Sequence, residues 1–252
     1  MLAVVTATAV AAAAAEIAPV DRRSGYDFAG PDTRAMQDDD TANPGMLGVL
    51  QGETLWVSKD GAANRSCADC HGDARTSMKA VAARYPVFEP ALARPLDLEG
   101  RINRCRTEHQ VAEPFAWESE DLLALTTFVA HQSRGLPITV QTDAALRPFF
   151  DLGGELFHRR QGQLNLSCSQ CHDDNWGKRL AGAVIPQGHP TGYPVYRLEW
   201  QSLGSLQRRL RNCMIGVRAE PYEYGAPEAV ALELYVMQRA HGMPIETPAV
   251  RP

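Results

Sequence analysis

The sequence predicts a mainly α-helical protein built from two tandem copies of one domain, and three observations predict it. Two Cys-x-x-Cys-His motifs, Cys67-Ala68-Asp69-Cys70-His71 and Cys168-Ser169-Gln170-Cys171-His172, stand 101 residues apart. Each is followed by one lone cysteine, Cys105 and Cys213, which completes the set of six. Each half then has a helix-like segment and a Gly-x-Pro-Ile ending, Gly135-Leu136-Pro137-Ile138 and Gly242-Met243-Pro244-Ile245.

Taken in order, residues 1–15 carry a small-residue apolar stretch ending in an alanine run. It resembles the hydrophobic part and cleavage site of a secretory signal peptide, without the usual basic start. It is too short for a comfortable transmembrane span, and no other long apolar run exists, so no stable membrane insertion is expected. Residues 16–43 are polar and rich in Asp, Arg and Gly, and read as a mobile or partner-wrapping N-terminal arm. The first domain covers 44–140 and the second 141–252, with the boundary near Thr139 to Arg147. Gly52-Glu53-Thr54-Leu55-Trp56 precedes the first motif and Gly154-Glu155-Leu156-Phe157 the second. After the motifs, Arg101-Ile102-Asn103-Arg104-Cys105 matches Arg209-Leu210-Arg211-Asn212-Cys213. The offset between halves grows from 101 at the motifs to 108 at the lone cysteines, so the second half carries an insertion of about seven residues there.

Residues 119–133 begin with Ser119 and acidic residues and put Leu122, Leu125, Phe128 and Val129 on one stripe, which predicts a helix. Residues 227–240 do the same, with Pro227 near the start and Val230, Leu234 and Met237 on one face. Between the second motif and its lone cysteine, Pro186, Pro190 and Pro194 with Gly182, Gly188 and Gly192 predict long loops. The 44% hydrophobic content suits a globular core, and a net charge of −5 with a pI near 5.8 gives no general basic surface for nucleic acid.

Cys-x-x-Cys-His is the pattern of covalent c-type haem attachment. Both thiols add to haem vinyl groups and the adjacent imidazole reaches the iron. A zinc site or a redox dithiol would explain one Cys-x-x-Cys but not the same histidine after both. Each half therefore reads as a small cytochrome c-like domain holding one haem c, held by Cys67, Cys70 and His71 in the first and by Cys168, Cys171 and His172 in the second. The haem supplies apolar core that so short a domain lacks. In bacteria such attachment takes place outside the cytoplasmic membrane, which agrees with the leader and points to the periplasm.

The second axial iron ligand is open to several donors. Methionines do not repeat between halves: Met78 has no counterpart, and Met214 beside Cys213 is the best rival. The lone cysteines do repeat, 34 residues after His71 and 41 after His172, and a thiolate would lower the iron potential. A Cys105–Cys213 disulfide is the other alternative, and needs Cα atoms within about 7 Å. Arg209 lies four residues before Cys213 and shares its helical face. There it would depress the thiol pKa and hold an oxyanion by paired hydrogen bonds; the alternative is a basic helix end facing water. Arg239 is a weaker candidate for the same pocket. His109, His131, His158, His189 and His241 lack a partner pattern and read as surface or structural residues. Trp176, Tyr193, Tyr196 and Trp200 read as packing for haem or core.

From about Gly45 to Ile245 these motifs resemble the SoxA family, the larger haem subunit of a periplasmic cytochrome of bacterial sulfur oxidation. The specific parts are the two haem motifs, the lone cysteine after each, and Arg209-x-x-x-Cys213. The resemblance implies an L-cysteine S-thiosulfotransferase subunit with two haem c groups. Cys105 would be the distal ligand of the first haem, and Cys213 the distal ligand of the second and the active-site cysteine, carried as a persulfide. Arg209 would bind substrate. Thiosulfate would be joined to a cysteine of the SoxYZ carrier protein, with two electrons passing to haem and to SoxX, a monohaem partner in a heterodimer. Arg208 and Arg211 would supply further cations for a dianion in an acidic protein. The alternatives are a plain dihaem electron-transfer cytochrome, a dihaem peroxidase and a non-catalytic interaction subunit.

Overall fold

The computed structural model of the protein describes residues 17–180 and 182–252, and the leader-like run at 1–15 lies outside them. After a 3-10 turn at Pro19–Asp21, the first half runs α1 (Pro31–Asp38), α2 (Gly45–Val57), α3 (Cys67–His71) and α4 (Ala74–Ser77). A hairpin of β1 (Val87–Glu89) and β2 (Arg94–Leu96) follows, then α5 (Leu98–Cys105) and α6 (Glu120–His131). The second half repeats the plan with α7 (Arg147–His158), α8 (Cys168–His172), a hairpin of β5 (Val195–Arg197) and β6 (Ser202–Gly204), α9 (Leu206–Gly216) and α10 (Pro227–Arg239). Its additions are a small hairpin, β3 (Arg179–Leu180) and β4 (Ala183–Val184), inside the inserted stretch, and the C-terminal strand β7 (Ala249–Arg251). β7 lies parallel to β5 and gives the sheet order β6-β5-β7.

Both predicted helices form. Ser119 caps α6 by accepting from the Leu122 amide, and Pro227 opens α10, where its missing N–H is no loss. In each half the first long helix crosses the last at a glycine. A Cβ on Gly52 of α2 would sit 2.2 Å from the Ala124 carbonyl oxygen of α6. One on Gly153 of α7 would sit 2.1 Å from the Ala231 carbonyl oxygen of α10. Gly52 and Gly153 are 101 residues apart, the spacing of the motifs, so the true counterpart of Gly52 is Gly153 and not the Gly154 that the Gly-Glu pairing suggested. The helices α6 and α10 are buried on nearly all sides, with nine consecutive residues of α6, Leu122 to Ala130, inside. Each packs on its own domain with one face and supports the other domain with the rest.

The two Gly-x-Pro-Ile endings bind each other. Gly135 N donates to Ile245 O and Gly242 N to Ile138 O, both at 2.8 Å. Ile138 N donates to Met243 O and Ile245 N to Leu136 O, both at 2.9 Å. Equivalent groups are exchanged both ways, so a local two-fold axis passes between Pro137 and Pro244.

The arm is not free in this structure; it folds back on its own chain. The amide of Val250 donates to Gln37 Oε1 at 3.1 Å, Asn43 Nδ2 to Pro248 O at 2.9 Å, and Arg23 N to Gln187 Oε1 at 2.6 Å. Polar composition suggested mobility, but Gln37 and Asn43 satisfy backbone in the second domain and Gln187 satisfies backbone of the arm. No described helix is long and apolar enough to cross a membrane.

Candidate functional site

Each haem-type motif is one short capped helix. Ser66 Oγ accepts from Asp69 N at 3.1 Å while Asp69 Oδ2 accepts from Ser66 N at 2.9 Å. Ser167 and Gln170 make the same reciprocal pair, at 3.3 and 3.0 Å. This capping box fixes five residues that would not hold a helix alone, and it puts both thiols of each motif on one face at i and i+3. Burial pushes the leading thiols up, Cys67 to about 11 and Cys168 to about 12, with the matching lone cysteine as the next contributor in each. Cys105 therefore belongs with the first motif and Cys213 with the second. Cys105 and Cys213 form no disulfide with each other.

In the second domain the inserted stretch holds the imidazole. His172 Nδ1 lies 2.7 Å from Pro186 O, which leaves Nε2 for a ligand role. Behind it, the buried Asp173 pairs with Arg239, whose guanidinium lies 4.5 Å over the Phe157 ring. On the far side of α8, Cys213 faces the His172 imidazole. Burial pushes the Cys213 thiol up, but a hydrogen bond with His172 and the charge of Arg209 outweigh it and bring the pKa down to about 7. Arg197 adds to that field. Arg209 is itself raised, first by the Cys213 charge. Arg197 is lowered by burial and then by Arg209. Two guanidinium charges thus act on one sulfur.

The first domain has the same parts wired differently. Arg101, the counterpart of Arg209, is bound to Glu89, and Arg104 Nη1 reaches the same carboxylate at 3.0 Å. Arg101 Nε also donates to Tyr85 OH at 3.3 Å. Glu89 offsets its charge; burial raises the Cys105 thiol and outweighs the pull of Arg101 in the other direction. His71 packs tilted against Trp56, ring centroids 5.8 Å apart, and Trp56 donates its indole N–H to Gly72 O.

Three sequence expectations change here. Arg208 and Arg211 do not serve the Cys213 pocket: Arg208 sits 4.2 Å over Trp200 and 3.9 Å from Glu118, and Arg211 binds Tyr222 O and lies 4.5 Å over Tyr224. Arg209, four residues before Cys213, is the arginine on its face of α9. Arg239 goes to Asp173 instead of joining Arg209. Met214, the rival sulfur, is 4% exposed and packs among Gln207, Leu210 and Leu232. His189 holds structure together, as its lack of a motif suggested. Burial pushes its pKa down to about 4, and its ring bonds Arg23 O and anchors the arm.

Arg197 is the site residue that sequence reading missed. The signal was present: Tyr85-Pro86 and Tyr193-Pro194 are 108 residues apart, the spacing of the lone cysteines, and counting on from them sets Glu89 against Arg197.

The donor set fits a c-type haem at both places: two thiols on one helix face, an imidazole beside them, and a lone cysteine set against the motif. A family model described as SoxA/TsdA, cytochrome c domain, matches residues 51–138 and 152–245. The chain is 42% identical over 242 residues to the L-cysteine S-thiosulfotransferase subunit SoxA of Pseudaminobacter salicylatoxidans, covering 95% of this chain and 85% of that one. It is 35% identical over 229 residues to the subunit of the same name from Rhodovulum sulfidophilum, covering 91% and 80%. Among solved structures it matches the crystal structure of SoxXA from P. pantotrophus with a TM-score of 0.88 and 32% identity, covering 92% of this chain and 87% of that one.

Proposed function

This chain belongs to the SoxA/TsdA cytochrome c family, and from that premise we propose that it is a periplasmic, dihaem L-cysteine S-thiosulfotransferase subunit. Its reaction joins thiosulfate to a carrier cysteine: a carrier thiol and the thiosulfate dianion give a carrier S–S–sulfonate, one proton and two electrons. The carrier is of the SoxYZ type, and a SoxX-type monohaem cytochrome is the heterodimer partner and electron exit.

The observation that carries this reading is the contrast between Arg101 and Arg209. Arg101 is neutralised by Glu89, whereas the strongest electrostatic partner of Arg209 is the Cys213 sulfur. An anion approaching Cys213 meets an available cation, and one approaching Cys105 does not. In this reading Cys213 is the reacting sulfur and Arg209 binds the sulfonate end by paired hydrogen bonds. Haem, when bound, would supply the electron acceptor; Cys168 and Cys171 would attach it, and His172 and Cys213 would hold its iron. Cys67, Cys70, His71 and Cys105 would hold the first haem in the same way. The Pro186 carbonyl orients His172, and the Asp173–Arg239 pair fixes the chain just beyond it.

The test is thiosulfate-dependent haem reduction by the holoprotein with its monohaem partner and carrier. Cys213→Ala is expected to abolish it with both haems still attached. Wild-type turnover by that variant would favour the plain electron carrier instead.

A further inference from the structure

We propose that Arg197 is the second arm of an oxyanion site in front of Cys213, and that it sets the preference of that site for a doubly charged sulfur anion. The inference rests on the thiosulfate reading above and adds the residue that selects charge.

Its basis is the matched hairpins of the two halves. Glu89 pairs with Arg94 across the β1–β2 hairpin, and Arg197 pairs with Ser202 across the β5–β6 hairpin, each pair offset by the same 108 residues. The last residue of the inner strand is thereby delivered to the guanidinium one turn before the lone cysteine. In the first domain that residue is a carboxylate, and it closes an ion pair with Arg101. In the second it is a cation, so the matched position carries a guanidinium near enough to Arg209 for the two charges to oppose each other, where the first domain has a guanidinium and a carboxylate.

Like charges gathered in a partly dry pocket are unfavourable until an anion joins them. The Arg197 side chain is 14% exposed, and its Nε is buried with no partner among the described residues. Trp200 lies under the guanidinium at 5.1 Å and holds its plane. One amino group reaches Glu199 at 3.2 Å, but that carboxylate is 67% exposed and stands at the rim in water. The pocket keeps a net positive charge and spare donors aimed inward. A sulfonate group has three oxygens on one sulfur, enough to engage both planar forks at once. A neutral thiol or a singly charged sulfur species has fewer contacts to gain.

The experiment uses the holoprotein with its monohaem partner and carrier. Arg197→Gln is expected to raise the KM for thiosulfate about 10- to 100-fold with kcat little changed, the loss of one charge-assisted hydrogen-bond pair. Arg197→Glu, which restores the charge pattern of the first domain, should be worse, and Arg197→Lys should recover most of the loss. Competitive inhibition by sulfate should weaken in parallel with KM. The ferric electron paramagnetic resonance spectrum should stay as in wild type, since iron ligation is untouched. A wild-type KM and wild-type sulfate inhibition in Arg197→Gln would overturn the assignment. Sulfate binding read directly from the visible spectrum of the second haem decides separately: seen in wild type but not in Arg197→Gln, it upholds the oxyanion site even where thiosulfate turnover fails.

Discussion

Cys105 and Cys213 hold equivalent places in the two halves, yet their surroundings give them different chemistry. The difference is the partner of one arginine. Glu89 holds Arg101 in an ion pair, whereas the carboxylate acting on Arg209 among the described residues is the exposed Glu199. Arg209→Gln is therefore expected to lower kcat/KM for thiosulfate by about 10- to 100-fold, the worth of a hydrogen bond to a charged group. Arg101→Gln should leave it near wild type while altering the spectrum of the first haem; steady-state kinetics on both variants checks the contrast. At this scale the sequence singled out the candidate residues and was poor about their neighbours. Cys213, His172 and Arg209 stand in one local pattern each, whereas the diversion of Arg208 and Arg211 to Glu118, Tyr222 and Tyr224 depends on contacts between distant segments.

The elements were legible wherever a local rule sets them. Capping residues and apolar spacing marked α6 and α10 to within about two residues, and the repeated motifs marked α3 and α8. The Gly-Glu string match pairs Gly52 with Gly154, whereas the helix crossing falls on Gly153, at the same distance from the motif as Gly52. Gly153→Ala should lower the unfolding midpoint of the holoprotein by about 1–3 kcal/mol in stability, since a backbone carbonyl cannot give way to the new methyl. In Gly154→Ala the nearest atoms belong to the Tyr235 ring, 3.0 Å away, and a helix-propensity gain offsets the contact. Urea denaturation with haem content held constant separates the two. The inserted stretch was read as loop, and it is mostly that, but its Pro186 carbonyl orients the His172 imidazole.

At the level of the whole molecule, duplication has produced a protein with a local two-fold axis and one unequal interface. Near that axis a cavity of about 50 Å³ is lined by equivalent residues of both halves, Tyr85 with Tyr193 and Leu98 with Leu206. Glu99 and Glu233 also face it, and Asp97 is beside them; Gln207 donates to Asp97 at 2.6 Å and to Glu233 at 3.1 Å. Burial raises all three carboxyls, and their mutual charge adds to Glu99 and Glu233; Arg94 and the Gly100 amide lower Asp97, and Glu118 raises Glu99 further. A carboxyl whose folded pKa is raised binds more protons folded than unfolded, so stability is full below the ordinary carboxylate range and declines as pH rises toward about 8, the value for Glu99. The unfolding midpoint of the holoprotein should fall across that window, and Glu99→Gln should flatten the fall. No sequence pattern announces this cluster, because its members come from α5, α9 and α10 and meet only through the pairing of the two halves.

The two lone cysteines divide in this reading, Cys105 as ligand and Cys213 as ligand and reagent. The most direct measurement pairs electron paramagnetic resonance of the ferric holoprotein with thiosulfate-dependent turnover in Cys105→Met and Cys213→Met. Wild type should show low-spin thiolate signals from two haems, with Cys105→Met losing one and keeping turnover, and Cys213→Met losing the other together with turnover. Full turnover in Cys213→Met, or methionine-type signals from both wild-type haems, would contradict that division.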